Sequence, residues 1–95
     1  MTVKDDIVQG NALLIDVRGA DEFAEKHIKG ALNLPVDQVE AGKLDLPKDQ
    51  KIYLYCKLGP RADHAEDALK AAGFTDVHNL KTLDAVEALG LRSES

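Results

Sequence analysis

The segment Tyr55-Cys56-Lys57-Leu58-Gly59-Pro60-Arg61-Ala62 places the one cysteine of the chain beside two cations and a glycine. A thiol reacts as its anion, so the question is what favours that anion here. The run Ile52-Tyr53-Leu54-Tyr55, rich in residues that suit a pleated surface, predicts a strand leading straight into Cys56. After a short loop, Ala62, Ala65, Ala68, Leu69 and Ala72 recur at helical spacing, and Gly73 supplies a stop, which predicts a helix over 61–72. A cysteine at a strand end, followed by a tight loop and a helix, lies where α/β folds place ligands. The loop amides form an anion cradle, the helix directs its positive end at the loop, and Lys57 and Arg61 add full charges. Together these predict a thiol pKa well below the reference of about 8.5, and a site for a small anion against the sulfur. Two residues oppose this. Pro60 has no N–H to donate, although it suits the first turn of a helix, and Asp63 repels an incoming anion if it faces the pocket. The competing reading is an inert strand-end cysteine packed as a small hydrophobe. The adjoining Lys57, Gly59 and Arg61 favour the reactive one.

These residues need elements to hold them. Ala12-Leu13-Leu14-Ile15 reads as a buried strand ending in Asp16-Val17-Arg18-Gly19. A short helix follows over 21–26, with Glu22 and Lys26 spaced for an i,i+4 pair. Gly30 breaks the pattern, and Ala31-Leu32-Asn33-Leu34 forms a second strand stopped by Pro35. A weakly patterned helix over 36–41 precedes the cysteine strand, with Pro47 in the loop between them. Beyond the cysteine helix, Val77-His78-Asn79-Leu80 is a short last strand, and 83–89 a final helix closed by Gly90. Lys4-Asp5-Asp6-Ile7-Val8 is expected to be a short helix covering one sheet edge. Strands alternating with helices imply an α/β fold with a mostly parallel sheet, covered on both faces.

Ninety-five residues fit one domain, 1–95, and leave no room for a second core. Hydrophobic residues make up 44% and aromatics only 4%, so the interior must be aliphatic, as in sheets buried beneath helices. Seventeen acidic against twelve basic residues give a net charge of −5, which disfavours nucleic acid and anionic membrane as partners. A lone cysteine cannot close an internal disulfide and so does not report the compartment. The first residues, Met1-Thr2-Val3-Lys4-Asp5-Asp6, have no apolar stretch of signal-peptide length, and no run is long enough to span a membrane. The expectation is a cytoplasmic protein or, if a leader was removed, a periplasmic one. His27, His64 and His78 are not spaced as a metal set, and no metal or cofactor is expected. A Cys56–His64 dyad is conceivable, but the helix dipole and the cations already account for activation. Asp16 reads as a carboxylate capping loop amides, Arg18 as a partner of Glu22 or Glu25, and Asp84 with Glu87 as a solvated face.

Asp16-Val17-Arg18, then Glu22-Phe23, then His27-Ile28-x-Gly30-Ala31-x-Asn33-x-Pro35, then the 56–61 loop, resemble the rhodanese domain pattern in order and spacing over nearly the whole chain. The resemblance is strongest to bacterial single-domain rhodaneses, the phage-shock type among them. It implies a five-stranded, mainly parallel sheet with helices on both faces and the cysteine loop at its carboxyl edge. It also implies Cys56 as the catalytic residue, and Lys57, Leu58, Gly59, Arg61 and Ala62 as substrate-binding positions. The implied chemistry is a double displacement that carries the outer sulfur of thiosulfate on Cys56 as a persulfide and passes it to cyanide or a thiol. Four residues separate Cys56 from Arg61, the spacing of the sulfurtransferases. The related phosphatases and arsenate reductases have one more, which disfavours that alternative. Basic residues at 57 and 61 resemble the thiosulfate-using members rather than the mercaptopyruvate-using ones. One departure follows the last strand, where rhodaneses commonly carry two glycines and a hydrophobic residue. Here the stretch is Asn79-Leu80-Lys81-Thr82-Leu83, whose side chains are expected to narrow the pocket mouth or, at Lys81, to add charge. That departure lends some weight to a different class of function, a persulfide carrier or interaction module with little small-molecule turnover.

Overall fold

Alternation along the cysteine strand organises the interior. In β4 (Ile52–Cys56) all five residues are buried, and successive side chains point to opposite faces of the sheet. Ile52, Leu54 and Cys56 join one apolar cluster with Ala62, Ala65 and Leu69. Tyr53 and Tyr55 join another with Leu14, Leu83 and Val86. The sheet is thus buried on both sides, which is why its strands read as nearly continuous apolar runs.

The structure, a computed structural model, describes residues 2–42 and 44–95; Met1 and Lys43 lie outside them. β1 (Leu13–Asp16), β3 (Leu32–Asn33), β4 and β5 (Val77–Thr82) form a four-stranded sheet in the order β3-β1-β4-β5. All its pairings are parallel: Leu13 lies beside Ile52, Ile15 beside Leu32, and Cys56 beside Thr82. The chain runs outward from β1 to β3 and then returns to its other side as β4, so a topological switch point lies between β1 and β4. Asp16 and Cys56 end those two strands.

α4 (Pro60–Ala71) and α3 (Val36–Glu40) cover one face, with Val39, Ala62, Ala65 and Leu69 buried there. α1 (Val3–Val8) and α5 (Leu83–Ala88) cover the other through Val3, Ile7, Leu83 and Val86. α2 (Ala20–Glu25) buries no residue fully and serves to link β1 to the strands that follow.

Three expectations about the fold are corrected. The main sheet has four strands, not five. A separate antiparallel pair, β2 (His27–Ile28) with β6 (Ser93–Glu94), lies outside it. Two-residue strands carry no periodicity that could announce them. The N-terminal helix packs on a sheet face rather than an edge, because Val3 and Ile7 fall on its inner side while Asp6 accepts a 2.9 Å hydrogen bond from the Tyr53 hydroxyl. That bond, with the Lys51 ammonium at 3.1 Å, holds the Asp6 carboxyl below its ordinary pKa. Finally, the final helix is not simply solvated on its acidic face: Glu87 accepts from the Ser93 hydroxyl at 2.9 Å and lies 3.5 Å from the Lys26 ammonium.

Candidate active site

Parity in β4 turns Cys56 towards α4, and the loop that follows folds back over it. Gly59 has φ of 110°, a conformation that glycine reaches without strain. This bend aims its N–H at the Cys56 sulfur, 2.9 Å away. The Ala62 N–H, in the first turn of α4, reaches the same atom at 3.3 Å. Pro60 occupies the first helical position, where an N–H would have no partner within the helix. The helix therefore loses little by having it, while the cradle lacks one donor. Two convergent amide donors and the positive end of a twelve-residue helix surround a sulfur whose residue is fully buried. The arrangement suits negative charge on that sulfur or on an atom bonded to it.

The third contact on the sulfur comes from β5. The Lys81 carbonyl lies 3.4 Å from Sγ and accepts from the thiol. Lys81 is the only non-glycine among the described residues with positive φ, 74°. That conformation is the physical reason glycine would be comfortable here, and a local network compensates for the lysine. The Asn79 side-chain oxygen accepts from the Lys81 N–H at 2.8 Å, and its amide donates to Asp63 at 2.7 Å. The Lys81 ammonium donates to the same Asp63 oxygen at 2.7 Å. Lys81 accordingly titrates above, and Asp63 below, their ordinary values, each chiefly through the other. The charge expected at the pocket mouth from Lys81 is thus neutralised, and Asp63 is turned to β5. Thr82 does not narrow the mouth either: its hydroxyl caps α5 by accepting from the Ala85 N–H at 3.0 Å.

Arg61 sits at the start of α4 with its guanidinium engaged. Its two terminal nitrogens donate to Glu22 at 2.6 and 2.9 Å, and Glu22 also accepts from the Gly19 N–H at 3.2 Å. The forked contact holds the Glu22 carboxyl down at about 2 and raises Arg61. Glu22 therefore does not pair with Lys26, which lies beside Glu87 instead. A folded-state pKa below the unfolded one means stability that is fully present above the unfolded value and lost as pH falls through the folded value. Glu22→Gln is expected to cost about 1 kcal/mol at pH 7, since both partners are about a third exposed, with the difference from the parent shrinking between about pH 4.5 and pH 2. Urea unfolding at pH 7 and at pH 2.5 checks this. Equal destabilisation at both would mean that the carboxylate charge is not the source.

Arg18 is placed differently from expectation. It pairs not with Glu22 or Glu25 but with Asp16, two residues back and fully buried. Its Nε and Nη2 donate to the Asp16 carboxylate at 3.0 and 2.8 Å, its backbone N–H at 2.9 Å, and Nη2 also donates to the Lys26 carbonyl. The guanidinium stands 5.9 Å above the Tyr55 ring centroid. Asn33 donates to the Asp16 and Arg18 carbonyls at 3.1 and 3.0 Å and so closes the turn. The capping role expected of Asp16 holds.

Beside the sulfur, Lys57 and Leu58 are exposed, Leu58 to 80%. Lys57 lines a cleft of about 270 Å³ with Arg18, Glu22, Glu25, Lys26 and Asp84. The structure brings Cys56, Gly59 and Ala62 together on one atom, and sets Lys57 and Leu58 at the loop tip and Arg61 on Glu22. Sequence reasoning missed Glu22 as the partner of Arg61, 39 positions away, and the Lys81 carbonyl on the sulfur. The only local hint of the second was the Asn79-x-Lys81 spacing of a side-chain-capped turn. The histidines lie apart. His27 stacks on Phe23 at 3.8 Å, His78 pairs with Asp76, and His64 is exposed on α4 and makes no bond to the sulfur.

A cysteine that ends a strand at a switch point, beneath a strand-to-helix loop, lies where α/β proteins place their ligands. The chain belongs to the rhodanese family: the model of the rhodanese-like domain matches residues 2–82. It is 41% identical over 70 residues to the uncharacterized protein YqhL of Bacillus subtilis, a match covering 74% of this chain and 56% of that one. The chain thus spans little more than half the length of that relative. It is 33% identical over 67 residues to the thiosulfate sulfurtransferase PspE of Escherichia coli, covering 68% of this chain and 64% of that one. The crystal structure of the Alr3790 protein from Anabaena superposes with a TM-score of 0.84 at 31% identity, covering 98% of this chain and 87% of that one. The α/β fold and the rhodanese resemblance read from the sequence both hold.

Proposed function

We propose that the protein is a sulfurtransferase that moves the outer sulfur of thiosulfate through a persulfide on Cys56 to a thiol or cyanide. The observation that carries this reading is the pair of amide donors, Gly59 and Ala62, converging on one buried sulfur at the start of α4. In the first displacement the Cys56 thiolate attacks the outer sulfur. A new S–S bond forms at Sγ, the sulfur–sulfonate bond breaks, and its electron pair leaves with sulfite. In the second, an acceptor thiolate or cyanide attacks the terminal persulfide sulfur, and the electron pair of the S–S bond returns to Cys56 as thiolate. Splitting one transfer into two in this way is nucleophilic catalysis. The loop amides stabilise the negative charge that sits on sulfur in both steps.

Lys57, exposed and without an ion-pair partner among the described residues, attracts the dianion to the loop. Arg61 binds it by exchanging Glu22 for the substrate's sulfonate, since either fills the same fork. Leu58, exposed at the loop tip, is a further substrate-binding position. Arg61→Ala is expected to raise the thiosulfate concentration needed for half-maximal rate by about tenfold, the loss of one charge-assisted contact. An unchanged requirement would leave Arg61 as a structural partner of Glu22 alone.

Mass spectrometry after thiosulfate treatment tests the reading as a whole. The expected result is a gain of one sulfur on the chain, removed by cyanide with formation of thiocyanate. No adduct at any pH between 6 and 9 would overturn it. An adduct that forms but passes sulfur only to a protein thiol would favour the carrier reading, for which the Lys81 carbonyl closing over the sulfur is the specific support.

A further inference from the structure

The end of the sheet away from Cys56 carries a second concave feature, unrelated to sulfur chemistry. A groove of about 450 Å³ lies between α1, the start of β1 and the segment after α5. Its floor is aliphatic, formed by Ile7, Ala12, Leu13, Leu14 and Leu91, and its wall includes Val8, exposed to 67%. Leu13 pairs with Ile52, four residues before Cys56 in a strand rising about 3.3 Å per residue, which places the groove roughly 13 Å from the sulfur.

Three cations line the same groove: Lys4, Lys29 and Arg92. Among the described lysines and arginines, only these three with Lys48 and Lys57 make no ion pair. In a chain of net charge −5, most unpaired cations thus converge on one apolar groove. They are also held close by the backbone. The Lys29 N–H donates to the Arg92 carbonyl at 2.8 Å, which sets those two side chains on adjacent segments despite their like charge. The Lys4 ammonium lies over Gly90, 3.2 Å from where a Cβ would stand, and Gly90 has φ of 100°. A residue with a side chain there would be strained and would meet Lys4.

We infer that this groove binds a medium-chain aliphatic carboxylate, its chain on the Ile7–Leu91 floor and its head group among Lys4, Lys29 and Arg92. A carboxylate supplies a partner to three cations that have none among the described residues, and the guanidinium of Arg92 offers it a forked contact. The volume of about 450 Å³ falls in the range of small-molecule sites.

Decanoate, octanoate and 1-decanol, each kept below its aggregation threshold, provide the test by amide-resolved NMR titration of the whole chain. Decanoate is expected to shift Lys4, Leu13, Gly30 and Arg92 while leaving Gly59 and Ala62 in place. It should bind about fifteenfold tighter than octanoate, the effect of two buried methylenes. 1-Decanol should bind at least tenfold more weakly. The exposed-surface variant Lys29→Gln/Arg92→Gln should lose about tenfold for decanoate while unfolding at the parent's urea midpoint. No shift at millimolar decanoate, shifts centred on Leu58, equal binding of decanol, or an unaffected double variant would each overturn the proposal. So would a capped acidic, leucine-rich peptide that binds the groove where decanoate does not, which would assign it to a protein partner.

Discussion

Serine in place of Cys56 is expected to lower thiosulfate-dependent sulfur transfer by at least about 10⁴-fold while leaving the fold intact. The substitution changes one atom. A serine hydroxyl can accept from the Gly59 and Ala62 N–H groups and donate to the Lys81 carbonyl, so every contact of the sulfur has an oxygen counterpart. What it cannot do is supply a soft, readily ionised nucleophile. A thiolate is a far better nucleophile towards sulfur than a hydroxyl, and among the described residues no basic side chain is hydrogen-bonded at this position to activate a serine. His64, the histidine nearest in sequence, is exposed on α4. Thiocyanate production with cyanide as acceptor measures the rate, and circular dichroism with the urea midpoint reports the fold. A variant that is folded and keeps more than a tenth of the parent rate would remove Cys56 from the chemistry.

The largest effect on stability is expected at Arg18. Arg18→Met should destabilise the protein by about 3–5 kcal/mol, because it leaves the Asp16 carboxylate buried and without its cation. Total stabilities of small domains are about 5–15 kcal/mol, so the variant is expected to be partly unfolded at 37 °C. The Lys26 carbonyl loses its donor as well. The double variant Asp16→Leu/Arg18→Met should recover much of the loss, since replacing both partners by apolar side chains removes the stranded charge. Chemical denaturation of the two single variants and the double variant gives the coupling. Simple additivity would mean that the pair acts as two independent packing contacts.

Asp16 and Arg18 also illustrate what was legible in the sequence. Their presence at a strand end was readable, and so was the turn-capping role of Asp16. Their mutual pairing was not: Glu22 and Glu25 lay within local reach of Arg18 as well, and it is the turn closed by Asn33 that sets Arg18 on Asp16. Glu22 and Lys26 present the opposite case. Helical spacing favoured their pairing, but Arg61 offers Glu22 two parallel hydrogen bonds, and a forked contact outweighs a single exposed one. The strand pair β2–β6 was invisible because a two-residue strand exists only by virtue of its distant partner.

Two hydrogen bonds from backbone N–H groups to one sulfur remain the centre of the site. Sequence alone determined that a strand runs into a thiol and that, after a tight loop containing Gly59, a helix begins at about Arg61. These are local matters of apolar run, helical spacing and backbone freedom, and they hold wherever the chain is placed. Tertiary structure decided which charges reach the thiol. The cations at 61 and 81 were expected near the anion, yet each is held by a carboxylate, Glu22 on α2 and Asp63 on α4. Ion pairing depends on which surfaces the fold brings within a few ångströms, and spacing along the chain carries no such information. The same holds for the Lys81 carbonyl on the sulfur, which requires β5 to lie beside β4 and a lysine to adopt a conformation that the Asn79–Asp63 network sustains.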